Sequence, residues 1–167
     1  MKTLNLLIIY YVLAVIFVAS FLKASYLIYP RIPLIVFTPI NASLWETWKM
    51  FFVSIFIVNA IIYWFIHSSF KLNVVISIIP STMITCLAYY LIYLVTNHNP
   101  LVYFPAALIS ITCGAYVWFI IVKKPYLWKH LYNFSSLMLL LVFVIFSILT
   151  YHPLKHQYFK DPYTYYK

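Results

Sequence analysis

Ser43, Glu46 and Lys49 set a hydroxyl, a carboxylate and an ammonium three residues apart, directly ahead of the apolar run from Met50 to Ile66. Glu46 is one of only two acidic residues in the chain. A carboxylate at the edge of hydrocarbon is costly unless it is paired, capped or wet. Two chemistries suit it. As a general base, assisted by His98 or His156, Glu46 would take a proton from a substrate held at the membrane boundary. As half of a capping box, Ser43-Leu44-Trp45-Glu46 would close a helix start, Ser43 accepting from the amide of residue 46 and the carboxylate reaching back to the amide of Ser43. Such a cap is worth about 1 kcal/mol. It leaves Asn41, Trp45 and Trp48 unexplained, and Lys49 too, which shares a helix face with Glu46 at i+3.

Other familiar chemistries find no footing. The five histidines are scattered without ligand spacing, so no metal site is expected. HExxH, a nucleophile elbow and a Cys–His pairing are missing. Gly114 is the single glycine, which excludes a glycine-rich phosphate cradle, and no cofactor is expected. Cys86 and Cys113, each near the middle of an apolar run, read as small hydrophobes rather than a disulfide.

Composition places these residues in a membrane. Hydrophobic residues make up 66% of the 167 and charged residues 8%, against roughly 25% charged in soluble domains. The net charge of +9 would suggest nucleic acid in a soluble protein. Here the basic residues flank apolar runs, where they meet anionic headgroups, and no nucleic-acid partner is expected. Ten of the eleven basic residues are Lys, and with abundant Ile, Tyr and Phe this points to an AT-rich bacterial genome.

The apolar runs define an all-α integral membrane bundle of five transmembrane helices, at about 4–22, 44–66, 74–95, 101–122 and 134–151. The first is longer than a signal-peptide core and reads as a retained helix. Between the first and second spans, Pro30, Pro33 and Pro39 break any long helix. Leu34 to Phe37 are apolar, so this connection reads as an interfacial or re-entrant segment. Residues 152–167 form an interfacial tail, and the whole chain is a single transmembrane domain. Chain order puts the first connection, the turn Thr96 to Pro100 and the tail on one membrane face. The N-terminus, the turn near His67 to Lys71 and the connection Lys123 to Asn133 share the other. Dense Lys123, Lys124 and Lys129 favour that second face as cytoplasmic.

Small residues predict how the helices meet. Ser77, Ser81 and Thr85 recur every four residues on the third span, as do Ala106, Ser110 and Gly114 on the fourth. These stripes predict a close antiparallel hairpin. Pro80 and Pro105 are expected to kink or end their local turns. Asn59, Tyr63 and His67 share one face of the second span, with Asn59 near mid-membrane, where it either bonds a neighbouring helix or belongs to a relay.

The segment Pro39-Ile40-Asn41-Ala42-Ser43-Leu44-Trp45-Glu46-Thr47-Trp48-Lys49 resembles the hallmark of a family of small bacterial multi-pass membrane proteins catalogued as a domain of unknown function. That hallmark, Pro-(Val/Ile)-Asn-x-Ser-(Leu/Ile/Val)-Trp-Glu-His-x-Lys, opens the second helix. A second one, a Pro-containing step followed by Phe-x-Asp-Pro-x-Thr, is matched by Thr150-Tyr151-His152-Pro153 and Phe159-Lys160-Asp161-Pro162-Tyr163-Thr164. The resemblance implies residence in the bacterial cytoplasmic membrane and brings no activity. Thr47 stands where the family commonly has His, and Tyr165 where it has Gly.

Both hallmarks fall on one face, so Asn41, Ser43, Trp45, Glu46, Lys49, His98 and Asp161 form the candidate site. The tail either folds over this mouth, pairing Asp161 or Glu46 with a Lys or His, or lies as an interfacial strip. Three functions follow. The first is a non-enzymatic accessory or interaction subunit whose partner, another membrane protein, docks at the Trp45–Lys49 mouth. The second is a membrane-embedded enzyme acting on a lipid or lipid-linked substrate through Glu46. The third is a small oligomeric transporter with Asn59 on its path.

Overall fold

The computed structural model describes residues 2–28, 37–39, 43–67, 70–96, 99–123 and 131–151. Among them are five long helices: α1 (Lys2–Ile28), α2 (Leu44–Phe65), α3 (Lys71–Val95), α4 (Tyr103–Lys123) and α5 (Leu131–Tyr151). Each is long and apolar enough to cross a bilayer. The chain is a multi-pass membrane protein built as an all-α bundle. An odd number of crossings puts the Lys2 end of α1 and the Tyr151 end of α5 on opposite sides.

Three boundaries differ from the sequence reading. Helix α1 continues to Ile28 instead of stopping near Leu22. Residues 23–28 contain neither Pro nor Gly, and the first breaker is Pro30. Helices α3 and α5 begin at Lys71 and Leu131, a turn ahead of their apolar runs, because hydrogen bonding continues where hydropathy falls. Pro80 does not end its helix, and α3 runs through it. Around it Ser77, Ser81, Thr82 and Thr85 each donate to a carbonyl of the preceding turn, at 2.6–2.8 Å. These hydroxyls satisfy themselves on their own helix, so none is left unpaired in the interior. Pro105 occupies the first turn of α4, where no helical partner awaits its missing N–H.

Helices α3 and α4 make the most extensive contact in the bundle. Ser77, Ser81 and Thr85 are buried on one side of the seam, and Ala106, Ser110 and Gly114 on the other, as their spacing predicted. A Cβ on Gly114 would collide with Thr85 Oγ1 and lie 2.7 Å from the carbonyl oxygen of Ser81. The backbones therefore approach as closely as an absent side chain permits. The turn joining them is closed by Asn99, whose amide donates to Thr96 O at 3.1 Å and whose side chain accepts from Leu101 N at 3.0 Å.

Helix α2 sits among the others. It packs on α1 and α3 along the backbone, and on α5 through rings: Phe52 and Phe56 meet Phe143 at centroid distances of 5.0 Å, and Phe52 meets Phe146 at 5.2 Å. Phe37, in the first connection, lies edge-on to Phe143 at 6.3 Å, and Thr38 is fully buried. This part of the connection packs against the bundle.

Gly114→Ala is expected to lower stability by about 1–3 kcal/mol, the usual range for overpacking a tight interior. Adding Thr85→Ala should restore only part of the loss, because the Ser81 carbonyl cannot withdraw. Unfolding of the purified protein in detergent checks both.

Candidate functional site

Ser43 precedes α2 in an extended conformation (φ −63°, ψ 155°), and its Oγ accepts from the amide of Glu46 at 3.3 Å. The Ser43 carbonyl accepts from both the amide and the hydroxyl of Thr47, each at 3.0 Å. The Ser half of the capping box is thus formed. The Glu46 carboxylate meets the Lys49 ammonium at 2.7 Å, with Lys49 completely buried and Glu46 nearly so. An anion in the first turn also suits the positive end of the helix dipole.

The 3.6-residue period sorts the motif by neighbour. Trp45, Lys49, Phe52 and Phe56 form the stripe toward α5. Trp45 lies against Phe146 at 4.9 Å, and Lys49 Nζ donates to Thr150 Oγ1 at 3.4 Å. Trp48 turns toward α3, edge-on to Tyr90 at 6.1 Å, and its buried Nε1 proton meets no acceptor among the described residues. Thr47, Met50 and Phe51 face a third way, into a crevice of about 350 Å³ that Ser20, Lys23, Pro39 and Tyr103 also line. Thr47 therefore opens on a cavity. Glu46 and Lys49 do not line it.

Of the residues singled out in the sequence, the structure joins Ser43, Trp45, Glu46 and Lys49 into one assembly. Asn41, His98 and Asp161 lie outside the described residues, as do His152 and His156, and with them the question of how the tail lies. Thr150 was not anticipated. It opens the second sequence hallmark but was not among the candidate site residues, and only the placement of α5 beside the start of α2 brings it to Lys49.

A second polar assembly lies within the membrane spans, nearer the end of the bundle opposite Glu46. Asn59 is completely buried. Its Nδ2 donates to the Tyr11 hydroxyl and to the carbonyl of Ile55, both at 2.8 Å, and its Oδ1 accepts from Trp118 Nε1 at 2.6 Å. The Tyr11 and Trp118 rings stack with centroids 4.3 Å apart. The carboxamide thereby spends both its protons while tying α2 to α1 and α4. This is the neighbouring-helix role. A relay or transport path calls for a polar cavity at this depth. The crevice that reaches it, about 930 Å³ between α1, α2 and α4, is lined almost wholly by apolar side chains.

Among the described residues no three His, Cys, Asp or Glu side chains gather as a metal would require. Cys86 is half-buried and Cys113 exposed, and both are free thiols. No family model matches the chain, and no curated protein or solved structure is similar to it at a significant level.

Removing one partner of a buried ion pair strands the other charge and typically costs about 3–5 kcal/mol. Glu46→Gln and Lys49→Met should each destabilise strongly, and the double variant should lose far less than the sum. A double-mutant cycle on unfolding in detergent measures the coupling. Asn59→Leu is expected to cost about 1–3 kcal/mol by orphaning the Trp118 Nε1 donor and removing the amide that the Tyr11 hydroxyl accepts from, and the same assay reads it.

Proposed function

We propose that this chain is a non-enzymatic accessory or interaction subunit of the bacterial cytoplasmic membrane, and that a partner membrane protein docks where α2 begins and α5 ends. One observation carries this reading: Glu46 is closed by its own helix. Its carboxylate is buried against Lys49 and lines neither crevice. A general base needs access to a substrate proton, whereas this arrangement fixes a helix start and joins it to α5. Trp45 and Trp48 are only half-buried and leave aromatic surface beside the pair. Tryptophan is favoured at interfaces because one end of the ring is apolar and the other polar.

The resemblance to small bacterial multi-pass proteins belongs to the same proposal, as does an orientation with the Lys2 end of α1 inside. Lys123, with Lys124 and Lys129 after it in sequence, supports that orientation through the excess of basic residues in short cytoplasmic loops.

Affinity capture of the tagged chain from native membranes tests the assignment. Trp45→Ala, which removes the half-buried ring while leaving the ion pair, is expected to release the partner without altering the lipid composition of the membrane. Glu46→Gln should weaken capture in parallel with its loss of stability. An unchanged partner set in both variants, with a shifted membrane lipid profile in Glu46→Gln, would refute the subunit reading and favour a lipid-modifying enzyme.

A further inference from the structure

The large crevice between α1, α2 and α4 opens at the end of the bundle opposite Glu46. Its wall on α1 runs from Leu7 to Val18, about 16 Å at 1.5 Å per residue. Half of a hydrocarbon core of about 30 Å is ~15 Å. On α1 the crevice therefore begins at one membrane boundary and reaches mid-bilayer, and the stacked rings of Tyr11 and Trp118, beside Asn59, form part of its wall. Its depth is that of a single leaflet.

The lining changes character along this depth. Inside it is aliphatic and aromatic, with Phe17, Val58 and Ile62 among its walls. The Tyr11 hydroxyl and the Trp118 N–H are both engaged with Asn59, so what these two side chains give the crevice is ring surface. Emptiness here would forfeit dispersion contacts on every side. At the outer end stand His67 and Lys123, both exposed, with Lys123 Nζ 5.2 Å above the Phe119 ring. Lys71 lies close by in sequence, its ammonium 5.0 Å from the centre of Tyr63. The described residues hold no acid near this end. Glu46 lies some twenty residues back along α2, about 30 Å away, and is already paired. An apolar slot of one leaflet's depth under a basic mouth matches a molecule with an acyl chain and an anionic head.

We propose that this crevice binds one anionic phospholipid of the adjoining leaflet, seating an acyl chain between α1, α2 and α4 and its phosphate at Lys123 and His67. Lipid bound there fills space that the three helices leave between them. It serves the bundle whether or not a partner docks at the Glu46 end.

The test uses the full purified chain alone, stripped of lipid in a neutral detergent, so its outcome is independent of any partner. Phosphatidylglycerol and phosphatidylcholine with identical chains are titrated while binding is followed by native mass spectrometry. We expect phosphatidylglycerol to bind about fivefold more tightly, the increment of about one basic residue near an anionic headgroup. Lys123→Gln combined with His67→Gln should abolish the preference while retaining weak binding of both lipids. Ile62→Trp, which fills the slot, should abolish binding of both. Should Ile62→Trp fail to fold, the charge variants alone decide. Equal binding of the two lipids, or a preference that survives the charge variants, would overturn the proposal. So would competition by inorganic phosphate at the concentration that suffices for phosphatidylglycerol, since the head would then bind without its chain.

Discussion

The fold depends first on the fact that hydrocarbon accepts no hydrogen bonds. Every polar group carried into the membrane must find its partner within the protein. The Asn59 carboxamide shows the constraint at work. Its two N–H groups and its oxygen reach a tyrosine on α1, a carbonyl of its own helix and a tryptophan on α4. Apolar packing alone discriminates poorly among helix rotations in lipid, because tails are as apolar as leucine. A directional group with several bonds does discriminate. Asn59 fixes how α1, α2 and α4 are turned, and the stacked rings of Tyr11 and Trp118 follow from that choice.

The α3–α4 hairpin satisfies the same constraint in another way. Its hydroxyls do not cross the seam in search of partners. They bond back to carbonyls of their own helix, which leaves a smooth surface of small groups. Close approach then rests on van der Waals contact, with Gly114 at the tightest point. The ion pair at the start of α2 is a third solution. Two charges spaced one turn apart neutralise each other before either has to be accommodated by a distant helix, and Thr150 adds a single bond from α5. The three devices occupy different depths and together account for most of the buried polar side chains.

Much of this was legible in the sequence because it is local. The number of crossings follows from hydropathy, the cap from Ser43 and Glu46 at fixed spacing, and the close hairpin from two stripes of small residues joined by a short turn. Asn59 stood out as an amide in an apolar run. What sequence could not supply was long-range. Tyr11 is one of seventeen tyrosines, and nothing marks it as the one that meets Asn59. Thr150 becomes relevant only when α5 lies against the start of α2. Helix ends were misjudged where hydropathy and hydrogen bonding part company, as at Lys23–Ile28, where a polar or small residue interrupts the apolar run without interrupting the helix. Of the candidate site, the part written within one helix turn could be read. The part depending on Asn41, His98 and Asp161 lies outside the described residues and stays an expectation.

The Glu46–Lys49 pair also bears on how the protein is made. The residue that Lys49 contacts on α5 lies 101 positions further along the chain, a delay of about 5–20 s at ordinary rates of synthesis. A lone carboxylate at the start of α2 would have to wait out that interval beside lipid, or hold its helix back from insertion. Because its counter-charge emerges three residues later on the same turn, α2 enters the bilayer already neutral, and its partitioning is settled before α5 has been translated.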